Sequence, residues 1–62
     1  MHKVVFWRGA KELAEKPWPY GLDTAKAHAR DHLPIYAATH VEVIDMASHA
    51  VVFRYAGEAS GE

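Results

Sequence analysis

One stretch limits what this chain can become. Gly21 to Leu33, GLDTAKAHARDHL, is its single segment with a sustained helical period, and prolines stand close on both sides at Pro19 and Pro34. Pro34 disfavours helical backbone in the residue before it, so the helix is expected to end near Leu33. Gly21 is a tolerated N-cap, and Asp23 puts negative charge into the positive first turn. At about 100° per residue, Leu22, Ala25, Ala29 and Leu33 share one stripe. His28 and His32 run along one margin of that stripe, Lys26 and Arg30 along the other. A stripe made mostly of alanine predicts a helix that sits close against a sheet, anchored at its ends by Leu22 and Leu33.

The remaining segments read as short strands. His2 to Arg8, HKVVFWR, is β-branched and aromatic and is stopped by Gly9. Val4 and Phe6 fall on one side of it, Val5 and Trp7 on the other. With both sides apolar, this strand is either central in the sheet or pressed against a partner. Lys11 to Lys16, KELAEK, reads as the return strand of a hairpin turned at Gly9-Ala10; its charges and the following Pro17 suit an edge. A helical turn is the alternative, since these residues also have good helix propensity.

Pro17 to Gly21, PWPYG, is expected to be a rigid connector in which no regular element continues. It would present Trp18 and Tyr20 either as a lid on the core or to a partner. After the helix, Ile35 and Tyr36 are expected to fold back onto the core. His40 to Asp45, HVEVID, and Ala50 to Tyr55, AVVFRY, make the clearest hairpin. Its loop lacks an Asn-Gly pair, so a longer loop built on a type I turn is expected, with His49 as a turn residue able to take positive φ. The fold class that follows is α+β: a small ββαββ domain over residues 1–56, or βαββ if residues 11–16 are not a strand. An antiparallel sheet of three to four strands would carry one helix on one face. Residues 57–62, GEASGE, have nothing to bury and are expected to form a flexible C-terminal tail.

Several function classes are excluded or disfavoured by residue type. Sixty-two residues without a cysteine cannot use disulfides or thiolate zinc sites to supplement a small core. Seven basic against eight acidic residues give a formal charge of −1, which makes no electrostatic case for nucleic acid. The apolar runs are far shorter than the roughly 20 residues a membrane span needs. Met1-His2-Lys3 leads directly into a strand, so a soluble cytoplasmic protein is the expectation. There is no Gly-rich phosphate loop, no paired-carboxylate motif and no thiol nucleophile. Asp31 and His32 are helical neighbours that do not face each other, and Ser48-His49 has no orienting acid. The chain therefore reads as non-catalytic, with no cofactor implied.

Two binding surfaces remain. His28 and His32, four apart on a helix, can share a divalent metal, though a structural site needs about four ligands and nothing in the sequence brings the other candidates, Asp31, His2, His40 and His49, near them. The stronger reading uses the sheet face that one helix leaves uncovered. Val5, Trp7, Ile44 and Val52 lie there, with Trp18 and Tyr20 as neighbouring candidates, and tryptophan is enriched at interfaces. A protein partner or a homodimer is the occupant expected. The basic residues Lys3, Arg8, Lys26, Arg30 and Arg54 read as a solvated margin.

Overall fold

The computed structural model describes residues 1–56, and the tail expected at 57–62 lies outside the described residues. The elements run β1 (His2–Arg8), β2 (Lys11–Trp18), α1 (Leu22–His32), β3 (His40–Asp45) and β4 (Val51–Ala56). All neighbouring strands are antiparallel, in the order β2-β1-β3-β4. The ββαββ order holds, and β1 is a central strand. Its two neighbours are its hairpin partner β2 and the distant β3.

β2 corrects the expectation that regular structure stops at Lys16. It continues through Pro17, opposite Lys3, and Trp18, opposite His2. β2 lies at the edge of the sheet, where a missing N–H can face away from the ladder, so a proline need not break it. The β1–β2 connection has Gly9 at φ 60° as its only residue of positive φ, the pattern of a two-residue type II′ turn between Arg8 and Lys11.

The core lies between α1 and one sheet face. Val4, Phe6, Val41 and Val43 of the two central strands meet Ala25, Ala29 and Leu33, all buried, with Leu22, Tyr36, Phe53 and Tyr55 packed around them. The helical stripe is thus the one the spacing predicts. Two buried alanines let the helix approach the central valines closely, and Phe6 fills the space beneath it. The margins also fall as expected. His28 faces Trp18 at the β2 side, with ring centroids 4.4 Å apart, and Lys26 Nζ lies 5.5 Å from the centroid of the Phe53 ring at the β4 side.

Helical winding does not end at Pro34. Tyr36 N–H donates to His32 O, Ala38 N–H to Leu33 O and Ala37 N–H to Pro34 O, with Ala37 at φ 53°. The last two bonds and the left-handed residue form a Schellman closure, here made by alanine rather than glycine. That extra turn carries Tyr36 onto Phe6, with centroids 4.4 Å apart, but leaves Ile35 exposed. The expectation that both would return to the core holds for Tyr36 alone, because adjacent residues on a helical turn point about 100° apart.

At the other end of the sheet, Asp45 organises the β3–β4 loop. Its carboxylate accepts from Ser48 Oγ (2.8 Å) and Ala47 N–H (3.3 Å), and its carbonyl accepts from His49 N–H (2.7 Å). These two donors hold the Asp45 carboxyl below its ordinary pKa. His49 takes φ 65°, as its residue type allows.

Candidate functional site

The sheet face opposite α1 is centred on β1. Alternation along that strand puts Lys3, Val5 and Trp7 on the side away from Val4 and Phe6. The pairing then brings Glu15 of β2 and Glu42 of β3 to either side of Val5, Ile44 beside Lys3, and His40 beside Trp7. One strand further out, Arg54 of β4 stands opposite Glu42. No helix or strand among the described residues covers this face. Val5 nonetheless keeps only 3 % of its surface exposed, because its neighbours' side chains close over it.

Two ion pairs frame that apolar centre. Lys3 Nζ donates to Glu15 Oε2 at 2.9 Å, and Arg54 Nε lies 3.7 Å from Glu42 Oε2. The lysine beside Glu15 holds its carboxyl below the usual range. At one end of the face the Trp7 and His40 rings lie nearly parallel, 5° apart in plane with centroids at 6.1 Å. Trp7 Nε1 is shielded from solvent and has no hydrogen-bond acceptor among the described residues. A buried, unpaired indole N–H costs free energy of the order of 1–3 kcal/mol. The Trp7 backbone is fixed from the far side: its carbonyl accepts from Thr39 N–H at 2.8 Å, and Thr39 Oγ1 accepts from Gly9 N–H at 2.8 Å.

Val5, Trp7 and Ile44 therefore share one surface, reached at the β4 side by Val51, which stands opposite Ile44 because Val52 is the extra residue of a bulge; both valines are half-exposed. Trp18 and Tyr20 do not belong to it. Trp18 lies on the α1 side, packed against the core, and its Nε1 donates to Thr24 Oγ1 at 3.0 Å, which in turn donates to the Gly21 carbonyl at 2.7 Å. Of its two expected roles, Trp18 takes that of the lid. Tyr20 meets Trp18 edge-on at 5.3 Å and is otherwise exposed.

His28 and His32 are brought together, but as a stack. Their rings lie 4.0 Å apart and 28° from parallel, continuing the column from Trp18. His28 Nε2 is shielded and has no partner among the described residues, and His32 Nδ1 is 3.2 Å from the His28 carbonyl, a contact that asks for a proton on that nitrogen. Burial chiefly, with His32 and Lys16 adding, pushes the His28 pKa down, while Asp31 opposes them. Among the described residues, no group of three or more His, Cys, Asp or Glu side chains gathers around a common point. The basic residues do not form one surface either. Lys3 and Arg54 are paired to acids, Arg8 Nε donates to the Ala37 carbonyl at 3.2 Å, and Lys26 lies over Phe53.

The two ion pairs were not foreseen from residue types. The signal that could have found them is the register within each hairpin, which sets Glu42 opposite Arg54 and Glu15 beside Val5, next but one to Lys3. No helix among the described residues is long and apolar enough to cross a membrane. No family model, curated protein or solved structure matches this chain.

Proposed function

We propose that this chain is a small, non-catalytic, cytoplasmic binding protein whose contact surface is the sheet face opposite α1, and that its partner is a protein, either another chain or a second copy, rather than nucleic acid. The observation that carries the reading is Trp7: a tryptophan with its indole N–H withdrawn and unpaired, on a face that no helix or strand among the described residues covers. Around it the face has the arrangement of a binding surface, an apolar centre inside a charged rim, in which tryptophan typically contributes most of the affinity. The near-neutral charge supports a protein partner over a polyanion.

Trp7→Glu tests this, because it removes the anchor and adds a buried charge to any complex while leaving the α1-side core intact. Wild type and variant are immobilised side by side, and sedimentation is run on each at matched concentration. The expected result is a partner, or a self-associated species, present with wild type and lost with Trp7→Glu, both proteins keeping the same far-UV circular dichroism. Equal behaviour of the two folded proteins in both assays would overturn the proposal.

A further inference from the structure

The two outer strands of the sheet differ in what they offer a further strand. β2 carries Lys11, Glu12, Glu15, Lys16 and Pro17, the charges and proline that blunt an edge. β4, VVFRYA, has no proline and no acidic residue, and Arg54 is its one charge. Among the described residues β4 has β3 on one side and no strand on the other. Val52 is the extra residue of its bulge, so Val51 and Arg54 stand on the open face opposite Ile44 and Glu42, while Phe53 and Tyr55 pack on the core side. Above that core side the edge is bordered by cations. Lys26 Nζ lies 5.5 Å from the centroid of the Phe53 ring, and Arg30, exposed, follows one turn later on the same margin of α1. Neither forms an ion pair with a described residue, Asp23 of the same margin included.

We propose that the outer edge of β4 takes an extended, acidic segment of another protein as an added strand, with its carboxylates on the α1 side beneath Lys26 and Arg30. Backbone pairing supplies the contact, and charge complementarity selects the occupant. An added strand lies about 4.8 Å beyond β4, and its side chains alternate between the two faces. Alternate residues repeat at about 6.7 Å, close to the roughly 6 Å between residues four apart on a helix, so two successive acidic residues match the two cations. The intervening residues fall on the open face beside Val51 and the stem of Arg54, where β-branched side chains pack well. A second copy fits this edge less well. Its own β4 would bring Lys26, Arg30 and Arg54 against the same three cations. Its β2, in which two lysines balance two glutamates, offers no net attraction and lacks an N–H at Pro17. The surface is the edge of the sheet, so the inference does not depend on the Trp7 face being a binding surface.

The probe is a blocked peptide of alternating glutamate and valine, equal in length to β4, with a lysine-valine peptide as its counterpart. Each is titrated at low salt into the isotope-labelled full chain and followed by amide NMR. The acidic peptide should shift the signals of β4, Lys26 and Arg30 and slow hydrogen exchange along β4. The basic peptide should need roughly tenfold more to do the same, the worth of two partly exposed charge contacts turned from attraction to repulsion. Lys26→Glu combined with Arg30→Glu should reverse that preference, an outcome that loss of folding cannot produce. Equal binding of the two peptides by wild type overturns the proposal, and so does an unchanged preference in the double variant. Shifts at Lys26 and Arg30 without slower exchange in β4 mean attraction with no strand added, which also overturns it, as do shifts confined to β2 or to the face around Trp7. Exchange in β4 that slows with protein concentration and no peptide would make a second copy the occupant instead.

Discussion

Val4 and Val5 are neighbours in β1 and both are withdrawn from water, yet they reach that state by different means. Val4 is fully buried under α1, among Phe6, Val41, Val43 and the two helix alanines. Val5 keeps 3 % exposure with no helix or strand among the described residues above it, flanked by the long side chains of Glu15 and Glu42, which are themselves held by ion pairs. The first kind of burial is a packed interior, where removing atoms leaves a cavity. The second is a roof of flexible charged groups whose stems cover apolar surface while their ends stay in water. A roof of that kind can be moved aside by a partner, which a packed helix cannot.

The comparison is sharpest where atoms are deleted from each side. Phe6→Ala should cost about 3–5 kcal/mol, the range for a buried aromatic truncated to a cavity. A core this small supplies roughly that much in total, so the variant is expected to be largely unfolded at 25 °C. Val5→Ala removes two carbons at about 0.8 kcal/mol each, and the side chains above it can close down, so a loss of about 1–2 kcal/mol is expected in urea denaturation. Equal losses at the two sites would show that the uncovered face is packed as rigidly as the covered one.

A second way to break the distinction is to add atoms. Ala29→Leu forces the helix away from Val4 and Val43 and should destabilise by about 1–3 kcal/mol by overpacking. The matching change on the other side, Val5→Ile, adds one methylene beneath movable side chains and should cost less in the same denaturation series.

Acid separates the faces with the smallest effect. Burial lowers the pKa of His28 below its ordinary value of 6.5, so the unfolded chain binds the proton more readily than the folded one. Stability contributed by neutral His28 is complete above about pH 6.5 and declines as pH falls through that value. The decline levels off once the folded form is protonated too. The loss belongs to the α1 side, where His28 stacks on Trp18 and His32. In a Trp7→Phe background, Trp18 fluorescence should follow the decline, and His28→Phe should flatten it. In a Trp18→Phe background, Trp7 should change only with global unfolding.

Much of this architecture is legible in the residues because the local signals agree. Gly9, the alternation in β1 and β3, the alanine stripe and the loop at Asp45 to His49 each point to the element that forms. The parts not legible depend on pairing across the chain. Pro17 reads as a terminator until β2 is known to be an edge strand, and Trp18 reads as a neighbour of Trp7 until its parity with His2 and Val4 places it under the helix side. Glu15 and Glu42 read as solvated charges until both are found flanking Val5. Ile35 and Tyr36 are equally apolar, and only the extra helical turn decides which of them reaches Phe6. The stacked histidines were legible as a pair. Their face-to-face geometry was not, because spacing of four fixes proximity and leaves ring orientation to the packing around it.

The strand order also has a kinetic meaning. β1 pairs with β2 through a two-residue turn and β3 with β4 through a short loop, so both hairpins are local and can form within microseconds. The seam between them is not local: Val4 meets Val43 and Phe6 meets Val41 only after the whole helical segment has been looped out. Closing that loop is an entropic cost met before its contacts are gained. The folding barrier should therefore sit at the β1–β3 seam, and truncations at Val4 or Val43 should slow folding more than they speed unfolding.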